Sequence, residues 1–154
     1  MKFSEIEKDR WPELKPYLDT ALLPLSGLTG GEAPHEATEA LERLRDALEP
    51  LESAYRGRVV TMPALHYAED DASLAVLADK LCARMRESGF RHCVVVTGAP
   101  RLLTLSVPNA SAVLGPEPPS PVAPSELYRS KATREIERLW RGTPATASGG
   151  VSEL

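Results

Sequence analysis

The amino-acid sequence predicts an α/β fold: a small three-layer domain with a mostly parallel four-stranded sheet flanked by helices. Three short apolar runs, at residues 20–25, 58–62 and 92–96, alternate with two segments of helical periodicity. The run at 92–96 is uninterrupted and rich in valine, which is typical of a central strand buried on both faces. Strand–helix–strand order with short connections favours a parallel sheet.

The first strand is expected at residues 20–25, ending near Leu25 because Pro24 cannot donate to a sheet ladder. The glycine-rich residues 26–31 are expected to form a flexible loop. A helix follows from Glu36, and Pro50 should kink or end it. Its apolar positions recur every three or four residues: Ala37, Leu41, Leu44, Leu48 and Leu51.

The second strand is expected at residues 58–62 and the third at 92–96. Between them lies a helix that Asp70 or Asp71 should cap and that Gly89 should end as a left-handed residue. Its predicted inner face consists of Leu74, Leu77, Ala78, Leu81 and Met85.

The last third of the chain gives weaker signals. Residues 102–107 fit either a strand or a short helix, and residues 110–114 fit a fourth parallel strand. A proline-rich connector at 115–124 precedes a final helix, which Ser125 should cap and Gly142 should end. Its expected inner face carries Ala132, Ile136, Leu139 and Trp140. We therefore expect one domain at residues 1–141 and a disordered tail at 142–154.

Composition narrows the classes of function. The chain has 154 residues and a net charge of −4, so it lacks the basic character that nucleic-acid binding requires. No apolar run approaches the length of a membrane span and no signal peptide is recognisable. We expect a cytoplasmic protein without membrane insertion, in which Cys82 and Cys93 are reduced, buried, small hydrophobic residues.

A functional site is expected at the carboxyl edge of the sheet, where ligands of α/β proteins gather. Four loops should converge there, at residues 26–35, 63–71, 97–101 and 115–121. His66 follows the second strand and is the leading candidate, whereas His92 should be a half-exposed residue at the opposite edge. The predicted ligand-binding residues are His35, His66, Tyr67, Thr97, Gly98 and Glu117.

No cofactor, no catalytic residue and no metal site are assigned. His35 and His66 with Glu32, Asp70 or Glu117 would be the donors of a zinc or manganese site, but no ligand-spacing motif is present. Ser26 lacks the surrounding glycine pattern of a nucleophile elbow. Asp19, together with Thr20, is expected to satisfy local backbone groups at the start of the first strand.

Several segments together resemble the YpiF-like bacterial family, for which no function is established. They are Trp11, residues 17–25, residues 55–59, the Met-Pro-Ala-Leu-His-Tyr run at 62–67, and residues 89–92. The resemblance covers about residues 1–141 and implies family membership without an activity.

A fainter resemblance is to the creatininase family of metal-dependent amidohydrolases, in which a Gly-Phe-Arg helix end also feeds a Val/Ile-rich strand. Two ligand elements of that family are missing. Its Glu-x-His cluster after the first strand is replaced by residues 26–30, and its Asn-Gly-His-Gly-Gly-Asn loop by residues 97–101.

Three hypotheses follow for function. The leading one is a non-catalytic accessory protein that binds a small molecule or a partner protein at the carboxyl edge of its sheet. The alternatives are a metal-dependent hydrolase of creatininase-like architecture and a structural interaction protein that docks through the Trp140 helix and the proline-rich connector.

Overall fold

The computed structural model describes residues 1–118 and 124–142, and it confirms the α/β fold with a parallel sheet. Five strands form the sheet: β1 (Thr20–Leu28), β2 (Val59–Thr61), β3 (Leu65–Tyr67), β4 (His92–Thr97) and β5 (Ala112–Leu114). The order is β2-β1-β4-β5, with β3 also paired to β1, and every pairing is parallel. The four-stranded prediction is close, because β2 and β3 are successive pieces of one edge.

Helices cover both faces of the sheet. Residues of α2 (Pro34–Ala54) and α4 (Pro124–Gly142) share one apolar cluster with Leu22 and Val94. Residues of α3 (Asp71–Glu87) share another with Leu23 and Val95. Neighbouring residues of a strand thus face opposite layers, as strand geometry requires, and the predicted three layers are confirmed.

The first strand is longer than predicted, and Pro24 lies inside it. The Leu22 carbonyl accepts a hydrogen bond from the Met62 amide at 2.9 Å, so even-numbered residues of β1 direct their backbone groups toward β2 and β3. Pro24 lies where β2 has ended and β3 has not begun. Its missing N–H therefore costs no hydrogen bond to a neighbouring strand. Residues 26–28 belong to the strand, and the prediction of a flexible loop there is wrong.

The predicted cap of α3 is confirmed, whereas two leucines predicted to lie in the core are partly exposed. Asp70 caps α3, accepting a hydrogen bond from the Ser73 amide at 2.7 Å, as predicted. Helix α2 begins at Pro34 and continues past Pro50 to Ala54. Leu41 and Leu77 were expected on inner faces but are 42% and 41% exposed.

The structure after β4 shows which of the alternatives for residues 102–107 and 110–114 is correct. A 3-10 helix spans Pro100–Thr104, and β5 confirms the fourth parallel strand of the sequence prediction. Helix α4 begins at Pro124, before the predicted cap Ser125. Most of the predicted tail and part of the proline-rich connector lie outside the described residues.

The chain before β1 adds elements that the sequence analysis did not identify. They are a 3-10 turn (Phe3–Glu5) and the short helix α1 (Trp11–Leu14). Trp11 packs in an apolar cluster with Ala21, Val60 and Phe90. None of the described helices combines the length and the apolar character needed to cross a membrane.

Candidate functional site

The end of β1 and the segment that follows β4 meet at the carboxyl edge of the sheet, and Arg101 joins them. Its Nη2 donates to the Gly27 carbonyl at 2.9 Å, and its Nε lies 3.3 Å from Asp71 Oδ2 at the start of α3. The chain leaves β1 toward β2 on one side and reaches β4 on the other, so the boundary between β1 and β4 is a topological switch point. Ligands of open α/β sheets bind in the crevice at such a point.

His66 contacts β1 at Ser26, the residue that precedes Gly27. Its Nδ1 lies 3.0 Å from Ser26 Oγ, and the same hydroxyl lies 3.3 Å from the His66 carbonyl oxygen. His66 belongs to β3, so its predicted position on a loop is wrong. Since β3 runs beside residues 25–28 of β1, sheet register places these two side chains together.

One tautomer of His66 satisfies both contacts of the Ser26 hydroxyl. The Ser26 hydroxyl has one hydrogen, which the His66 carbonyl can accept, so the network is complete when Nδ1–H donates to Ser26 Oγ. In this tautomer His66 cannot take a proton from Ser26 through Nδ1. The Ser26 residue is also only 4% exposed. The pair therefore serves to orient the imidazole, with Nε2 as its remaining acceptor.

Tyr67 follows His66 at the rim of the site. Its side chain is among the large hydrophobic groups left exposed, at 68%, and its Cδ1 lies near the Gly30 backbone. The side chain of Arg101 is about half exposed, and its guanidinium retains donors beyond those bound to Gly27 and Asp71. The edge thus presents a cation, a hydrogen-bond acceptor and an aromatic ring on segments fixed to one another.

The carboxylates proposed as metal donors are engaged elsewhere. Glu32 accepts from the amides of Thr29 and Gly30 at 2.8 and 2.9 Å, bonds that hold its pKa below the usual value. Asp70 caps α3, where the Ser73 amide likewise lowers the pKa of the carboxyl group. Glu117 lies 3.1 Å from Lys131 Nζ and follows β5, away from β3 in the sheet order.

The candidate metal site therefore lacks a donor set in the part of the chain that the structure describes. No group of three or more His, Cys, Asp or Glu side chains able to hold a metal ion occurs within residues 1–118 and 124–142. His35 lies exposed in the first turn of α2, whereas His66 is bound to Ser26.

Thr97 and Gly98 are buried beneath the edge. Thr97 Oγ1 accepts the Ala99 amide at 3.1 Å. A Cβ added at Gly98 would lie 2.5 Å from the carbonyl carbon of Arg43 in α2. Gly98 thus allows α2 to approach β4 closely, and the space beside it is filled by protein.

A second polar cluster, at the amino edge of the sheet, was missed by sequence reasoning. Asp19 and Arg58 form a two-bond ion pair, with nitrogen–oxygen distances of 3.0 and 3.2 Å. The guanidinium of Arg58 lies 4.1 Å from the ring centroid of Trp140, and Trp140 Nε1 donates to Thr20 Oγ1 at 2.9 Å. The only sequence signal was the Asp-Thr pair, which we interpreted as local capping.

Tyr55 extends this amino-edge cluster toward solvent. Its ring meets Trp140 edge-on, with centroids 4.8 Å apart, and its hydroxyl donates to Glu137 at 2.8 Å. Burial, together with this hydrogen bond, raises the pKa of Tyr55 to about 12. The cluster joins the end of α4 to the start of the sheet and has a structural role.

His92 belongs to the same edge, and the prediction that it is half-exposed is wrong. The residue is 4% exposed, and its Nε2 has no hydrogen-bond partner among the described residues. Burial lowers its pKa below the ordinary value of 6.5; the carboxylate of Asp19 opposes this effect, while Arg58, Arg86 and Arg91 reinforce it.

This burial predicts a pH-dependent stability. Near and below pH 6.5 the unfolded chain binds a proton at His92 more readily than the folded chain, so the free energy of unfolding should fall as the pH decreases through that window. Urea unfolding at about pH 7.5 and about pH 5.5 measures the loss, and His92→Leu should reduce it. Equal losses in the native chain and the variant would contradict the assignment.

Together, the fold and the edge geometry define a parallel α/β protein with a polar loop cluster at its switch point. The family described as "Protein of unknown function (DUF2487)" matches residues 9–102. The chain belongs to this family, which confirms the expected membership of a family without established function. No curated protein and no solved structure matches the chain. The matched region includes Ser26, His66 and Arg101 and ends before Glu117.

Proposed function

We propose that the protein binds an anionic ligand or a partner segment at the carboxyl edge of its sheet and does not itself catalyse a reaction. The observation that carries the proposal is the position of Arg101 at the switch point, hydrogen bonded to Gly27 but still about half exposed. A guanidinium with free donors suits carboxylate and phosphate groups, which it can bind with two parallel hydrogen bonds.

His66 and Tyr67 give this site its selectivity in the proposal. The Ser26 hydroxyl fixes the imidazole, and the exposed Tyr67 ring offers a flat apolar surface with a polar tip. Because these groups are oriented before binding, little side-chain freedom is lost when a ligand arrives. Both the arginine and the His-Tyr pair attach at adjacent residues of β1, which keeps the donors and the aromatic ring within one site.

The burial of Ser26, which is only 4% exposed, supports the non-catalytic part of the proposal, because a nucleophile has to reach its substrate. Creatininase-like metal hydrolysis lacks support from the donors in the described part of the chain. Elemental analysis of the purified protein tests that alternative directly. The proposal places this binding function in the cytoplasm, as the sequence analysis expects, and the YpiF-like resemblance adds a bacterial origin.

Thermal-shift screening against small carboxylates, small phosphates and acidic peptides tests the proposal. Ligands that raise the melting temperature of the native chain should bind at least about tenfold more weakly to Arg101→Gln and Tyr67→Ala, a loss of about 1.4 kcal/mol each. Tyr17→Ala is the matched control, because Tyr17 is 66% exposed and precedes β1 at the opposite edge.

Two results would contradict the proposal. One is a screen in which no anion shifts the melting temperature, or in which Arg101→Gln and Tyr67→Ala bind as tightly as the native chain. The other is a catalytic turnover that disappears in His66→Ala, since that would assign a reaction to the site.

A further inference from the structure

Three sulfur atoms meet in the core between α3 and β4. Cys82 Sγ and Cys93 Sγ are 3.0 Å apart, and Met85 Sδ lies 3.6 Å from Cys93 Sγ. Both thiols are free and fully buried, in an apolar cluster that includes Leu74 and Val95. Their role as small hydrophobic residues explains the burial of the two cysteines but not the contact between their sulfur atoms.

The distance between the sulfurs indicates which chemistry they suit. A disulfide bond is about 2.0 Å long, so the two sulfurs need to approach by about 1 Å to form it. A metal ion between two thiolates, with bonds of about 2.3 Å, holds the sulfurs about 3.8 Å apart in a tetrahedral site. The observed spacing is therefore too short for a shared metal and favours bond formation between the sulfurs.

We propose that Cys82 and Cys93 form a reversible intramolecular disulfide when the protein encounters a peroxide. The thiolate of Cys82 attacks one peroxide oxygen, the O–O bond breaks, and the departing hydroxide takes a proton to become water. The resulting sulfenic acid at Cys82 is then attacked by the Cys93 sulfur, which loses its proton, and a second water leaves. Two thiols and one hydrogen peroxide thus give one disulfide and two waters.

The contact also assigns different roles to the two thiols. Cys93 donates its S–H toward Cys82, which lowers the pKa of Cys82 and raises that of Cys93. Cys82 is therefore the sulfur that ionises first and reacts with peroxide, and Cys93 resolves the sulfenic acid.

Burial sets the rate of this reaction. Neither sulfur is accessible in the closed fold, so peroxide reaches the pair when the last turns of α3 open locally. Oxidation should consequently be slower than that of a surface thiol and faster in mild urea. Once formed, the disulfide ties α3 covalently to the central strand β4.

The experiment exposes the full chain to hydrogen peroxide, alkylates it in denaturant and measures its mass. After peroxide treatment the native chain should take up no alkylating agent and should weigh about 2 Da less than the untreated, unalkylated chain. Dithiothreitol should restore both alkylatable thiols. Cys93→Ser should instead accumulate a sulfenic acid at Cys82 that dimedone traps. Met85→Leu is a control that keeps the disulfide but lacks the oxygen gained by a methionine sulfoxide.

Several results would overturn the proposal. They are two alkylatable thiols remaining in peroxide-treated native chain, disulfides found between chains rather than within one, or stoichiometric metal in the purified protein that thiol alkylation releases. The native chain needs no substitution, so its thiol count decides the matter even if Cys93→Ser does not fold.

Discussion

Replacing Arg58 with alanine should lower the free energy of unfolding by about 3–5 kcal/mol, as when one partner of a buried ion pair is removed. The Asp19 side chain is only 9% exposed and is bonded to Arg58 through both oxygens. The variant leaves this carboxylate without its cation and removes the guanidinium face next to Trp140. Urea unfolding followed by circular dichroism measures the loss.

Arg45→Ala provides the matched control for Arg58→Ala. Arg45 also pairs with an aspartate, but both side chains are about 70% exposed, and exposed ion pairs contribute at most about 1 kcal/mol. A similar loss of stability in both variants would show that the amino-edge cluster does not stabilise the fold as a buried pair does.

Gly98→Ala should also destabilise the protein strongly, by about 3 kcal/mol, at the upper end of the range for overpacked cores. The added methyl group would lie 2.5 and 2.6 Å from the carbonyl carbon and oxygen of Arg43. These are backbone atoms of α2, so the clash cannot be relieved by turning a side chain, and the helix has to move away from β4. Thermal and urea unfolding report the change.

Gly57→Ala is the control for the Gly98 variant. A Cβ at Gly57 meets no atom within 4 Å, so the substitution should change stability by less than about 1 kcal/mol. If Gly98→Ala were equally mild, Gly98 would not be required for close packing of α2. Ligand binding at the carboxyl edge would then be the remaining role for this residue.

Elements with strong local signals could be predicted from the sequence. The valine run of β4 and the Asp70 cap each rest on a few neighbouring residues, and both appear in the structure. Residues 26–28 were misassigned because a serine followed by glycine is typical of turns. Pairing with β3 nevertheless keeps this segment in the sheet, with a register shift between Leu25 and Leu28. Leu41 and Leu77 follow the helical period but lie at the margins of their buried faces.

The sequence predicts where the candidate site lies but not which residues contact one another there. Parallel topology alone brings the carboxyl ends of β1 and β4 together, and the bond from Arg101 to Gly27 joins the end of β1 to the segment after β4. The bond between Ser26 and His66 spans 40 positions and depends on the register of β3, which no local pattern specifies. Trp140 and Thr20 are 120 positions apart, so their contact was likewise hidden. The roles of His35, Thr97, Gly98 and Glu117 in binding stay predictions.

The position of α4 shows that the segment matched by the family is not a complete folding unit in this chain. The family match ends at residue 102, yet Tyr128 and Ile136 of α4 complete the apolar cluster over Leu22 and Val94, and the Tyr128 hydroxyl donates to the Ala47 carbonyl at 2.6 Å. The shared segment therefore leaves one side of its own sheet unfinished. A fragment of this chain that ends at residue 102 would lack the helix that covers these apolar residues, so the matched segment depends on the later part of the chain to shelter that face.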